Sequence, residues 1–222
     1  MATPYSLVTL DETHSTQDVA GELFTGSPVL VVSARQTGGR GRTGAPWQSA
    51  PRAVAASLAL ALEPSKRPTF SLEGGLAWIS GLPAGVSLKW PNDLMVNEVK
   101  VGGVLVESSS GVTVIGSGLN LWWPAPPPGI GALYETDPGS ELGLALARGW
   151  VDRLLEAADR PWDLAGYRRN CSTIGQSISW EPDGTGRAVD ISPDGALLVE
   201  TADGLVRLYA GAVRHVSIKP AQ

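Results

Sequence analysis

Between residues 5 and 120 the apolar positions of this chain come in short runs separated by turn-forming residues. Leu7-Val8-Thr9-Leu10 and Val29-Leu30-Val31-Val32 read as strands, because branched and leucine side chains fit a pleated, half-buried surface. Val54, Ala56, Leu58, Leu60 and Leu62 alternate with smaller residues and predict another strand, with a helix as the competing assignment because of the alanines. Further strands are predicted over 86–89, 94–96, 101–107 and 112–115, and Asn97-Glu98 turns the chain between the second and third of these. Two helical signals interrupt the strands. Ser15-Thr16-Gln17-Asp18 has a hydroxyl cap and an acid in the first turn, and Leu72, Leu76 and Ile79 mark a short helix weakened by Gly74-Gly75.

Beyond residue 120 the period changes. Trp123-Pro124-Ala125-Pro126-Pro127-Pro128-Gly129 cannot be a regular helix or a central strand and reads as a loop or flap. Residues 141–158 bring Leu142, Ala145, Leu146, Trp150, Leu154 and Leu155 to one side at helical spacing, and 162–169 predict a short helix. From Ile174 onward, strands near Ile178, Val189, Leu198, Leu208 and Val216 alternate with Asp183-Gly184, Asp194-Gly195 and Asp203-Gly204, spaced for successive hairpins. Five short strands in so few residues suggest a small barrel that needs a neighbour to bury its face. No solenoid-type repeat is visible.

Composition narrows the class. At 222 residues the chain holds one good-sized domain, or one domain plus a small module, and its 43% hydrophobic content suffices for a core. A formal charge of −5 with no long Lys/Arg run argues against binding the phosphate backbone of nucleic acids. The single cysteine, Cys171, excludes an internal disulfide and fits a reducing cytoplasm; with two histidines it also makes a structural zinc site improbable. No secretory leader and no apolar run long enough for a membrane span is seen. The expectation is a soluble cytoplasmic protein.

Candidate chemistry begins at Gly38-Gly39-Arg40-Gly41-Arg42-Thr43-Gly44. Glycine lets backbone approach a ligand, and arginine brings a fixed fork of donors to a carboxylate or phosphate. The formal G-x-G-x-x-G from Gly39 to Gly44 follows a good strand, but Pro46 and Pro51 spoil the helix that a dinucleotide site requires, and no Gly-Lys-Ser/Thr makes it a P-loop. Taken alone, the segment is equally an ordinary solvated loop.

A second block runs Lys89-Trp90-Pro91-Asn92-Asp93-Leu94-Met95-Val96, then Lys100-Val101-Gly102-Gly103-Val104-Leu105-Val106-Glu107. Read singly, its pieces are a common turn, a solvated strand end and a bulge. Read with the Gly/Arg loop, they supply a carboxylate, a lysine and two arginines, a set suited to two anions and a metal-bound triphosphate.

These blocks, with Ser15-Thr16 before them and Gly116-Ser117-Gly118-Leu119-Asn120 after, resemble the biotin protein ligase family in order and spacing, across nearly the whole chain. The resemblance implies an α+β fold. A mixed-sheet catalytic domain of class-II-synthetase type would occupy residues 1–172, and a small SH3-like β-barrel residues 173–222. It also implies an ATP-dependent ligase that forms an amide bond in two steps. Biotin's carboxylate attacks the α-phosphate of ATP to give biotinyl-5′-AMP, and a lysine of a biotin carboxyl carrier protein or domain then displaces AMP.

Residue roles follow from the same resemblance. Ser15, Thr16 and Gln36 would hydrogen-bond the ureido head, and Gln17 joins the biotin-binding set. Arg40, Gly41 and Arg42 would contact biotin or its adenylate, and Lys100 would be the catalytic lysine at the carboxylate and α-phosphate. Gly102, Gly116 and Gly118 would leave room for the ring and valeryl chain. Trp47 would pack near adenine, unless it is an ordinary core tryptophan. Asn92, Asp93 and Asn120 would serve the phosphate–Mg²⁺ side, with Asp93 as metal ligand and as the group that orients the incoming lysine. Residues 38–44 would close over the adenylate to exclude water, and 123–129 would form a second flap.

Three departures matter. The family's Ser-Thr-Asn reads Ser15-Thr16-Gln17 here, and Thr43 and Ala45 stand where relatives are often basic. His14, His215 and Cys171 receive no role. A lipoate ligase or octanoyl transferase is the nearest rival enzyme. A biotin-responsive repressor would carry a helix-turn-helix of roughly sixty residues ahead of the Ser-Thr pair, so direct DNA binding is not expected, and a non-catalytic binding module would not need the full charged set. A homodimer is one assembly that the family suggests.

Overall fold

The computed structural model describes residues 4–66, 68–209 and 213–215. Its first unit is a seven-stranded sheet in the order β1-β2-β3-β7-β6-β5-β4. The strands are β1 (Ser6–Thr13), β2 (Val29–Gln36), β3 (Arg52–Leu60), β4 (Val86–Lys89), β5 (Asp93–Val96), β6 (Val99–Ser109) and β7 (Val112–Trp122). Only β1 and β2 run parallel; the other neighbours are antiparallel, with short hairpins joining β4 to β5, β5 to β6 and β6 to β7.

Helix α1 (Thr16–Leu23) covers one face, packing Ala20 against Val29, Val31, Ala59 and Val114. Helices α2 (Phe70–Ile79) and α3 (Glu141–Ala158) cover the other, where Val54, Ala56, Leu58 and Leu60 of β3 enter the main core. With helices on both faces, β3 is buried at eight successive positions, so its apolar alternation is blurred and an alanine-rich strand resembles a helix. Gly74 and Gly75 let α2 approach the sheet: a Cβ at Gly74 would lie 2.6 Å from Ile115 Cδ1. Trp78 and Trp150 stack at 5.2 Å between α2 and α3, and each indole N–H is satisfied, by Ser117 Oγ and the Gly74 carbonyl.

A short helix, α4 (Leu164–Asn170), leads to a second sheet of β8 (Ser177–Trp180), β9 (Gly184–Ile191), β10 (Leu197–Thr201), β11 (Gly204–Leu208) and β12 (Val213–His215). Its order is β11-β10-β9-β8-β12, antiparallel throughout, and β11 and β12 are its two edges among the described residues. The strand predicted near Val216 thus begins three residues earlier, and Val216 itself lies outside the described residues. Ile178, Ile191, Leu197, Val199 and Val213 belong to the same apolar cluster as Trp90 and Leu88. Trp90 joins the two units directly, donating from its indole to the Gly195 carbonyl and from its backbone N–H to Thr173 Oγ1.

Candidate active site

On the α1 face of the seven-stranded sheet lies a cavity of about 640 Å³, large enough for a drug-sized ligand. Its floor follows from strand register. Ser57 opposes Gly116, Ala55 opposes Gly118, and Gly103 opposes Gly118 from the other side. Glycines at 103, 116 and 118 let neighbouring side chains lie close on this floor, Gln17 over Gly116 and the Trp47 ring over Gly118. Gly102 is one residue out of phase: a Cβ there would meet Leu119 at 2.8 Å and Leu94 at 3.1 Å, on the core side. Gly103 therefore opens on the cavity where the sequence reading expected Gly102.

One end wall is polar and arises at the start of α1. Ser15 caps the helix by accepting from the Asp18 N–H at 3.3 Å, so Thr16 and Gln17 project from the first turn, all three buried. Gln36 Oε1 accepts from the Thr16 backbone N–H at 2.7 Å and lies 3.0 Å from Thr16 Oγ1. Thr16 Oγ1 is 2.8 Å from Ser57 Oγ, which is 3.1 Å from Gln17 Oε1. Gln17 Nε2 donates to the Val114 carbonyl at 3.0 Å, which fixes its amide with the oxygen inward. Four oxygens thus make three close contacts with only two hydroxyl protons between them. The wall is short of a donor, which a ligand N–H could supply.

The opposite end is charged. The Lys89–Asp93 turn, with a cis bond before Pro91, delivers Asn92 and Asp93 to the cavity, and Lys100 Nζ meets Asp93 Oδ1 at 2.6 Å. Lys100 Nζ also sits 5.7 Å from the centre of the Trp47 ring. That ring lies over Gly118, where a Cβ would approach it to 2.5 Å, so Trp47 is a wall of the cavity and not a core tryptophan. Burial pulls the Arg42 guanidinium below its ordinary value against the opposing pull of Asp93. It stays cationic, since arginine starts so high.

The loop over residues 38–44 folds back on itself. Gly41 N–H donates to the Ala45 carbonyl at 2.7 Å, Trp47 N–H to the Gly39 carbonyl at 2.9 Å, and Thr43 (φ 56°) and Gly44 (φ 76°) make the left-handed bend. Arg40, Gly41, Arg42 and Thr43 line the cavity.

Of the residues singled out from sequence, Ser15, Thr16, Gln17, Gln36, Arg40, Gly41, Arg42, Trp47, Asn92, Asp93, Lys100, Gly116 and Gly118 border this cavity, whereas Gly102 and Asn120 do not. Asn120 is buried, accepting from the Ala50 N–H and donating to the Gly131 carbonyl, so its amide ties two loops to β7. The proline-rich 123–129 segment does not border the cavity either. Gly129 and Gly131 instead bond the Lys100 backbone at 3.1 and 2.8 Å and fix the strand that presents this lysine. Lys89 and Gly103, which belong to the second sequence block but received no site role, also line the cavity, and so do Ser57 and Glu181, which were not singled out. Ser57 carried one signal, a lone hydroxyl in an apolar strand. Glu181, from the turn between β8 and β9, carried none.

A family model for the biotin/lipoate A/B protein ligases matches residues 9–120, and one for the biotin protein ligase C-terminal domain matches 181–216. The biotin–[acetyl-CoA-carboxylase] ligase of Mycobacterium tuberculosis is 30% identical over 85% of this chain and 79% of its own length. The bifunctional ligase/repressor BirA of Bacillus spizizenii is 26% identical over 93% of this chain and 73% of its own. Among solved structures, the biotin protein ligase from Aquifex aeolicus in complex with biotin and ATP superposes with a TM-score of 0.79 over 95% of this chain and 99% of that one, at 24% identity. Model and relative match the stretch that builds the polar wall, the glycine floor and the charged end, and on that ground this chain belongs to the biotin/lipoate A/B protein ligase family.

Proposed function

We propose that this cavity carries out both half-reactions of a biotin protein ligase. The chain is an ATP-dependent ligase that activates biotin as biotinyl-5′-AMP and passes it to a lysine of a carboxylase's biotin carrier domain. The observation that favours biotin over a lipoyl or octanoyl group is the polar wall of Thr16, Gln17, Gln36 and Ser57. A cyclic urea brings N–H donors and a carbonyl acceptor to a wall rich in acceptor oxygens, whereas a dithiolane or alkyl chain would offer those oxygens no hydrogen bond. Sites built to bond a polar group reject analogues that lack it by orders of magnitude.

With the urea at that wall, the valeryl chain would run along the cavity past Gln17 and Trp47, whose side chains occupy the space over Gly116 and Gly118, and bring its carboxylate to Lys100 and Arg42. Those two cations offset the repulsion between carboxylate and α-phosphate, and stabilise the charge that develops as the carboxylate oxygen bonds phosphorus and pyrophosphate leaves. ATP arrives with Mg²⁺ as its counter-ion. Among the described residues no group of three or more His, Cys, Asp or Glu side chains could hold a metal, so the ion would sit mainly on phosphate oxygens with Asp93 as its carboxylate. Trp47 would offer its ring to adenine, and Asn92 an amide to the phosphates. In the second step the carrier lysine attacks the acyl carbon, the C–O bond to phosphate breaks, and AMP or Asp93 takes the ammonium proton.

Residues 1–172 would carry this chemistry and 173–222 would form the second domain, in a cytoplasmic protein for which a homodimer is one assembly. Biotin-dependent exchange of pyrophosphate into ATP tests the first step alone. Exchange with biotin and none with lipoate or octanoate is the expected result, and the reverse preference would move the chain to the lipoyl branch of the family.

A further inference from the structure

The sequence reading gave Arg40 to the ligand, but its donors are engaged elsewhere. A guanidinium has five N–H groups. Arg40 Nε and Nη2 donate to the two oxygens of Glu107 at 3.2 and 2.7 Å. Nη1 and Nη2 donate to the two oxygens of Asp18 at 3.2 and 2.7 Å, and Nη1 also donates to Ser15 Oγ at 3.2 Å. All five are used, in two forked pairs that join the loop to α1 and to β6.

We propose that Arg40 is a positioning residue: clasped by Asp18 and Glu107, it fastens the 38–44 loop and Ser15 at the polar end of the cavity, and leaves the substrate's anions to Arg42 and Lys100. One cation between two carboxylates carries a net charge of one negative, so this corner does not attract a carboxylate or phosphate. The hydrogen bond from Arg40 holds the Asp18 carboxyl below its ordinary range, so that pair persists at neutral pH. An uncharged head group is accepted beside the clasp and an anionic one is repelled, which fixes the direction in which an elongated acid lies. The identity of that acid rests on the ligase reading above; the clasp itself does not.

The test separates the two. Glu107→Gln removes one carboxylate charge without touching the ligand. It is expected to raise the KM for biotin about threefold to tenfold, the range of one partly exposed forked pair, with a smaller change in kcat, and to speed tryptic cleavage after Arg42 in the ligand-free protein. Asp18→Asn, read separately, should shift both quantities the same way, with melting temperatures confirming that each variant is folded. In the cycle of Arg40→Ala, Glu107→Ala and the double variant, the cleavage rate of the double should match that of Arg40→Ala alone. A lower KM for biotin in Glu107→Gln would mean that released Arg40 donors bind the ligand, and would overturn the proposal; so would additive single effects on loop cleavage. If the wild type transfers lipoate or octanoate and no biotin, the proposed reaction fails, while the cleavage rates still decide the clasp.

Discussion

Gly116 has no room for a side chain: a Cβ there would lie 2.2 Å from Gln17 Oε1 and 2.9 Å from Ser57 Oγ. Gly116→Ala should therefore displace the polar wall and raise the KM for biotin on the order of tenfold to a hundredfold, as misplacement by an ångström does. Lys100→Ala removes the cation paired with Asp93 at 2.6 Å, and adenylate formation should fall on the order of a hundredfold to a thousandfold; a melting temperature within a degree or two of wild type would accompany it. Glu73 gives a prediction about stability. It is buried in α2 with Thr69 Oγ1 on one oxygen and no hydrogen-bond partner on the other, and desolvation raises its carboxyl above the ordinary value. The folded state then holds this proton more tightly than the unfolded chain. The associated stability is present below the ordinary carboxylate pKa and is lost as pH rises through the raised one. Glu73→Gln should thus raise the melting temperature at neutral pH and change it little in mild acid. At this scale Ser15-Thr16-Gln17-Asp18 was legible as a helix start from its N-cap pattern, while the place of its side chains in the site came from the family resemblance. Ser57 was not legible, and of the pair Gly102-Gly103, read together as bare backbone, only strand phase decides that Gly103 faces the cavity.

At the scale of elements, local sequence predicted type better than extent. β7 was expected over 112–115 and runs to Trp122, since Gly116 and Gly118 weaken a strand signal while serving as cavity floor. The glycines that weaken α2 in a propensity reading allow its contact with Ile115 and Val104. Gly74→Leu should consequently cost far more stability than helix propensity alone would return, and chemical denaturation would show it. Trp150→Ala removes an indole stacked on Trp78 and hydrogen-bonded to Gly74. A loss of about 3–5 kcal/mol is expected for so large a buried side chain, with KM values for biotin and ATP preserved in the folded fraction. The 123–129 segment was legible as irregular backbone but not as a brace, because the bond from the Lys100 N–H to the Gly129 carbonyl joins residues almost thirty positions apart.

For the whole molecule, one apolar cluster runs from the helices of the first unit through Trp90 into the second sheet. The proposed domains at 1–172 and 173–222 should therefore unfold together, and calorimetry of the full chain should give a single transition. Truncation after residue 172 would expose Trp90 and Leu88 and abolish cooperative melting. Hairpin spacing made the second sheet legible; its packing on the Lys89–Asp93 turn was not, because no local pattern encodes a contact such as Trp90 with Gly195. The central claim is that the whole chain, cavity and second sheet together, attaches biotin to a protein lysine. Intact-mass measurement of a biotin carboxyl carrier domain after incubation with the protein, biotin and MgATP tests it most directly. The carrier is predicted to gain one biotinyl group, and to stay unmodified if ATP or the acceptor lysine is removed. An unshifted carrier, with octanoate or lipoate transferred in its place, would contradict the account.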